Sequence, residues 1–302
     1  MSQMWLTAGE AIDYLIISIA SGKGGTGKTT LATNLAMVLA KKGYDVTYVD
    51  ADVEEPNGHI FLKPKIEKKS EVTVPIPKVD DDECTLCGEC SEICQENAIA
   101  ILGDRVKVFP SLCNSCGGCF AVCPVNAIEE IPKNIGWISM GKGRGVNFFE
   151  GRLLIEESET TPIIRELRKA SINAGITIID ASPGTSCTVI KAINNTDYVI
   201  LVTEPTPFGL NDLKLAVDMV SEIGLPYGVV INRFDIGDNR VEKYCFDNNV
   251  DILLKIPFDR KIAEVYSRGE MIFGVDVKYN DILYNLYQKI TNKVNNDRVG
   301  SY

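Results

Sequence analysis

A buried strand running straight into a glycine-rich loop and then a helix constrains this chain more than any other feature. Residues 14–20 read Tyr-Leu-Ile-Ile-Ser-Ile-Ala, an isoleucine-rich run of the kind a parallel sheet buries on both faces. Directly after it, Gly22, Gly27, Lys28 and Thr29 satisfy the spacing G-x4-G-K-[ST] within Ser21-Gly22-Lys23-Gly24-Gly25-Thr26-Gly27-Lys28-Thr29-Thr30. Glycines here let successive backbone N–H groups wrap a phosphate, and the following helix aims its N-terminus at the same anion. Leu31, Leu35, Val38 and Leu39 give that helix an apolar stripe, and Gly43 supplies its stop.

The pattern of a strand ending in an acid recurs. Val46–Val49 reads as a second strand and ends at Asp50-Ala51-Asp52. Gly175–Asp180 reads as another, followed by Ala181-Ser182-Pro183-Gly184. Tyr198–Val202 and Tyr227–Ile231 are further apolar runs, the second followed by Asn232-Arg233. Strands alternating with helical stretches predict an α/β fold, a parallel sheet with helices on both faces. The alternative for Asp50 and Asp52 is a pair of simple surface groups at a strand end.

Eight of the ten cysteines fall in a 40-residue window. Cys84, Cys87, Cys90 and Cys94 are spaced C-x2-C-x2-C-x3-C, and Cys113, Cys116, Cys119 and Cys123 repeat that spacing 29 residues later. Asn97-Ala98-Ile99 recurs at the same offset as Asn126-Ala127-Ile128, so the window is an internal duplication. Clustered thiols serve metal or redox chemistry. Zinc is the competing reading, because C-x2-C pairs also bind zinc, but two tandem copies of the full spacing favour iron–sulfur ligation.

Charge follows the same window. Residues 80–130 hold ten acids against two bases, a net charge of −8, out of −10 for the whole chain. So acidic a chain argues against a nucleic-acid binder, which needs Lys and Arg to neutralise phosphates. The acidic segment reads either as a solvated surface or as a docking face for a basic redox partner.

Each cysteine run resembles the bacterial two-cluster ferredoxin signature. The resemblance implies that Cys84, Cys87, Cys90 and Cys123 hold one 4Fe-4S cluster, and that Cys94, Cys113, Cys116 and Cys119 hold the second. Pro124 follows Cys123 as in that family, whereas Gln95 stands after Cys94.

The loop Gly22–Thr29 carries an additional lysine, Lys23, that an ordinary phosphate-binding loop lacks. It resembles the deviant Walker A of the MinD/Mrp/nitrogenase-iron-protein superfamily, and the likeness covers most of the chain. The resemblance implies a P-loop NTPase that binds ATP or ADP through Gly22, Lys23, Gly24, Gly25, Thr26, Gly27, Lys28, Thr29 and Thr30. It implies a homodimer across the nucleotides in which Lys23 reaches the partner's phosphate. By the same likeness Asp52 orients the attacking water in switch I. Thr29, Asp50 and Asp180 serve Mg2+, the Gly184 backbone senses the γ-phosphate, and Asn232 reads the base. Lys23, Lys28 and Asp52 are the catalytic candidates. An α+β ferredoxin-like module at 77–134 would interrupt an ATPase domain formed by 1–76 and 135–302. Proline-containing linkers are expected at Val74–Lys78 and Ile131–Asn134, and a hairpin around Gly141–Gly145.

The expected function is an ATPase whose nucleotide cycle gates electron transfer from the clusters to an unidentified redox partner. Two alternatives stand beside it: a cluster assembly or carrier ATPase serving apo-iron–sulfur proteins, and a MinD-like positioning ATPase with structural clusters. The N-terminus lacks an export pattern and no apolar run reaches a membrane span, so a cytoplasmic chain is expected. Ile282, Leu283, Leu286, Ile290 and Val294 share one helical face, which reads as docking on the domain because the polar face is poor in bases. Cys245 reads as core, His59 as a residue flanking the switch, Phe258 as packing or base contact. Cys187 reads as an ordinary cysteine beside the switch, with a ligand role as the alternative. Residues 1–13 have no evident role.

Overall fold

The computed structural model describes residues 14–172, 175–272 and 277–300; the segment 1–13 lies outside the described residues. In the first half of the chain β1 (Tyr14–Ala20), α1 (Lys28–Lys41), β2 (Val46–Ala51) and α2 (Gly58–Leu62) lead into the long strand β3 (Lys65–Val79). Then come α3 (Glu89–Ile93), β4 (Ile99–Leu102), β5 (Arg105–Val108) and α4 (Gly118–Val122). The long strand β6 (Ile128–Gly143) and β7 (Val146–Leu153) return the chain to the sheet. The second half alternates: α5 (Thr161–Ser171), β8 (Gly175–Ala181), α6 (Cys187–Ile193), β9 (Tyr198–Thr203), α7 (Pro207–Ile223), β10 (Tyr227–Asn232), α8 (Arg240–Asp247), β11 (Ile252–Ile256), α9 (Arg260–Ser267) and α10 (Val277–Gly300).

Nine strands form one sheet in the order β11-β10-β9-β1-β8-β2-β7-β6-β3. All neighbours from β11 to β7 are parallel, and β6 and β3 add two antiparallel strands at one edge. Side-chain alternation splits the interior into two layers. Leu15, Ile17 and Ile19 pack with α1 and α10, whereas Ile16 and Ala20 pack with α5, α6, α7 and α8. Helices therefore cover both faces, as the strand–helix alternation predicts. Leu283, Leu286, Tyr287, Ile290 and Val294 of α10 are buried in the first layer, so this apolar stripe docks on the domain. No described helix is long and apolar enough to cross a membrane.

The segments expected as linkers are instead paired strand. β3 and β6 form an antiparallel ribbon from Lys65↔Lys142 to Val79↔Ile128, with Pro75 opposite Pro132. Both prolines are tolerated because each strand has a free side at that level: β3 is the sheet's edge, and β7 ends at Leu153, opposite Gly136. Val72, Val74 and Ile76 are buried, the period-2 signature of a strand. The hairpin turns at Arg144 and Gly145, both at positive φ (53° and 85°), which matches the twist of the flanking strands. Past Gly136↔Val72 the ribbon runs on alone through Val79, about 23 Å at the usual rise per residue. It leaves the sheet at the carboxyl ends of the parallel strands, the same edge that carries the glycine-rich loop.

At its tip the duplication is written into the backbone. Leu86 and Ser115, Gly88 and Gly117, and Asn97 and Asn126 all take positive φ at matching positions of the two halves. The amide of Ala98 donates to Cys94 Sγ and that of Ala127 to Cys123 Sγ, each at 3.2 Å. Cys90, Ile99, Val106 and Ile128 form a small core of their own.

Candidate functional site

Gly25 and Gly27 hold φ of 76° and 98°, which turns the loop after β1 over the N-terminus of α1. The loop is clamped from outside. A Cβ at Gly22 would lie 2.2 Å from the Asp212 carbonyl oxygen, and one at Gly27 would lie 2.7 Å from Asn232 Nδ2. That amide donates to the Thr26 carbonyl at 2.8 Å. Asn232, expected to read the base, thus also braces the loop. Gly24, Gly25, Gly27, Lys28, Thr29 and Thr30 line a cavity of ≈ 390 Å³ together with Asp52 and Asn232. Leu254, Ile256, Phe258, Ile262 and Tyr266 add apolar lining. An anion-binding loop together with apolar lining is what a nucleotide requires. Gly22, Lys23, Thr26, Asp50, Asp180 and Gly184 do not line it.

Beside the cavity, three carboxylates stand in one row across three strands. Asp180 pairs with Asp50, and Asp50 with Glu150, and all three are buried. Like charges so placed oppose ionisation, and each acid has its own donor. Tyr48 Oη donates to Asp180 Oδ2 at 3.0 Å. The amides of Asn57 and Gly58 donate to Asp50 Oδ2 at 3.1 and 2.7 Å, and that of Asp52 to Asp50 Oδ1 at 3.3 Å. His59 Nδ1 lies 2.7 Å from Glu150 Oε2. Burial, with Asp180 nearby, pushes the Asp50 carboxyl well above the usual range. Burial raises Asp180 to about 6 against the opposing pull of Thr29, Lys28 and Tyr48. Burial also raises Asp52, opposed by Lys28, and lowers Lys28, opposed by Asp180, Asp52 and Asp50.

Asp180 Oδ1 is buried with no hydrogen-bond partner. An orphaned carboxylate oxygen near the Thr29 hydroxyl is a hard-donor set that fits Mg2+. Asp50 has no such free oxygen, since both take backbone N–H bonds. In this conformation the Gly184 amide donates to the Ser21 carbonyl at 2.9 Å. Lys23 Nζ lies 3.8 Å from Glu204 Oε2, and Arg233 Nη1 holds the other oxygen of Glu204 at 2.9 Å.

Cys84, Cys87, Cys90 and Cys123 line one small cavity, bringing three thiols of the first run to the last of the second. Burial pushes the Cys119 thiol up, and the nearby Cys113 and Cys116 push the same way. Among the described residues no three potential ligands converge as they would on a single ion. Thiols spread around a cavity, with amides aimed at Cys94, Cys113 and Cys123 sulfurs, suit a polynuclear iron–sulfur group. Of the second set, Cys113 packs against the interior of the main domain, and Lys133 Nζ joins the Pro110 carbonyl at 3.0 Å to Glu157 at 2.8 Å.

The remaining expectations divide. Cys245 is buried in the core, where burial raises its thiol to about 11. Cys187 is exposed at the start of α6. Phe258 reaches the cavity wall. Tyr48, Glu150 and Glu204 were missed: none belongs to a sequence motif, and only strand register or chain return brings them to the site.

The model of the CobQ/CobB/MinD/ParA nucleotide binding domain matches residues 17–272. An uncharacterized protein of Methanocaldococcus jannaschii is 33% identical over 93% of this chain and 97% of its own length. A protein of Pyrococcus horikoshii named iron-sulfur cluster carrier protein is 26% identical, covering 92% of this chain and 86% of its own. The Pyrococcus furiosus cell division ATPase MinD superposes with a TM-score of 0.57 at 22% identity, covering 92% of this chain and 98% of that one.

Proposed function

Because the chain belongs to the CobQ/CobB/MinD/ParA nucleotide-binding family, we propose that it is a Mg2+-dependent ATPase whose nucleotide state gates electron transfer from two 4Fe-4S clusters to a partner protein. The observation that carries this reading is connectivity. Asp52 is followed by Asn57 and Gly58, which clasp Asp50, then by α2, and two residues later by β3, the strand that rises to the cysteines. A nucleotide-dependent shift of 52–58 is therefore delivered to the base of the ribbon. ATP must bind the two arrangements with different affinity for the coupling to exist.

In this reading Lys28 and the amides of Gly24–Thr30 hold the phosphates, Asn232 faces the base, and Thr29 and Asp180 hold Mg2+. Asp52 orients the attacking water, and Lys23 acts across a homodimer. The clusters supply one-electron transfer when bound. Cys84, Cys87, Cys90 and Cys123 hold one, and Cys94, Cys113, Cys116 and Cys119 the other, in a module at 77–134 within an otherwise continuous cytoplasmic ATPase. The deciding experiment is anaerobic: cluster potentials and electron-transfer rate to a chemical acceptor, measured with ADP and with a non-hydrolysable ATP analogue. Identical values in both nucleotide states defeat gating.

A second reading, delivery of clusters to apo-proteins, is favoured by the Pyrococcus relative's name and by the exposure of Cys87 and Cys116. Transfer of iron–sulfur absorbance to an apo-ferredoxin, accelerated by ATP, distinguishes it.

A further inference from the structure

We propose that Tyr48 is a positioning residue for Asp180, whose second carboxylate oxygen it leaves free to face magnesium. The proposal rests on the reading of Asp180 as the metal's acid and adds the residue that fixes its geometry.

Tyr48 is fully buried in β2. Its ring stacks on Phe148 of β7, with centroids 5.8 Å apart and planes at 18°. Gly58 approaches the hydroxyl end so closely that a Cβ there would lie 2.3 Å from the tyrosine oxygen. A ring stacked on Phe148 and crowded by Gly58 at its hydroxyl end is fixed in place, and its hydroxyl donates to Asp180 Oδ2 at 3.0 Å. Asp180 Oδ1 is buried and unpartnered, so the hydrogen bond breaks the equivalence of the two oxygens and stops the carboxylate from turning. A neutral phenol suits this role. It satisfies one oxygen without adding a positive charge that would repel a divalent cation. Partners of this outer kind are commonly worth about 10–100-fold in metal affinity.

The experiment measures ADP binding to the full chain by fluorescent-nucleotide titration, in EDTA and across a Mg2+ series, for the wild type and Tyr48→Phe. The phenylalanine keeps the ring and removes only the donor. The expected result is EDTA affinity within about twofold of wild type and a half-saturating Mg2+ raised about tenfold. Gly58→Ala, whose methyl group displaces the hydroxyl, shifts the Mg2+ requirement the same way. An unchanged Mg2+ requirement in Tyr48→Phe overturns the proposal, as does an equal loss of affinity in EDTA, which marks Tyr48 as packing alone. Wild-type binding indifferent to Mg2+ instead removes the reading of Asp180 on which the proposal rests.

Discussion

The ammonium of Lys23 lies 3.8 Å from a carboxylate oxygen of Glu204 in the same chain. The lysine that would act across a dimer is thus held at home, by an acid that Arg233 also grips. The Lys23 side chain is 34% exposed, which keeps the pair within the ~0–1 kcal/mol of solvated ion pairs. Glu204→Gln is expected to free Lys23 and lower the protein concentration giving half-maximal ATPase activity by about two- to fivefold. Sedimentation with a non-hydrolysable ATP analogue checks the same shift. A variant that associates no more readily than wild type shows the contact to be incidental.

Asp180 gives a pH signature. Its carboxyl is raised from 3.8 to about 6 by burial, so between those values the folded chain holds a proton that the unfolded chain has released. The Asp180 contribution to the stability of the nucleotide-free protein therefore falls as pH rises through that window and is level above it. Asp180→Asn is expected to reduce the slope, leaving the share of Asp50 and Asp52, and to stabilise the apo protein at pH 7.5, by at most about 3 kcal/mol, while abolishing the Mg2+ effect on ADP binding. Urea denaturation at pH 4.5, 6 and 7.5 measures the slope.

Cys123 should behave as a ligand of the first cysteine run rather than of its own. It shares a cavity with Cys84, Cys87 and Cys90. Cys123→Ser, reconstituted anaerobically, is expected to lose about half the bound iron, and Cys84→Ser to produce the same electron paramagnetic resonance change. Distinct spectra for the two variants would mean that the thiols serve different clusters.

Asn232 has two duties that one substitution exposes together. Its amide holds the Thr26 carbonyl and its side chain lines the cavity. Asn232→Ala is expected to cost about 1 kcal/mol of apo stability, the usual value of one such hydrogen bond. It should also weaken ADP binding by about tenfold. Calorimetric titration and urea unfolding report the two effects separately; retention of full affinity would restrict Asn232 to bracing.

Much of the site was legible before folding because loop wrapping and thiol ligation depend on local spacing. Gly25 and Gly27 take the left-handed φ that a phosphate loop needs, and the two cysteine runs repeat their backbone conformations position for position. The prolines misled for an equally physical reason. Pro75 and Pro132 look like linker residues, yet an edge strand and a strand with one free side both accept a missing N–H. His59 carried too little local pattern to reveal its carboxylate partner Glu150, 91 residues away.

By itself, then, the sequence determined a parallel α/β domain, its phosphate loop and two duplicated thiol sets, since each follows from residue type at short spacing. Only the tertiary structure decided that Asp180, Asp50 and Glu150 share a row, that Tyr48 takes one oxygen of that row, and that Glu204 holds Lys23. Those contacts arise from strand register and chain return, which join residues far apart in sequence and leave no periodicity in it.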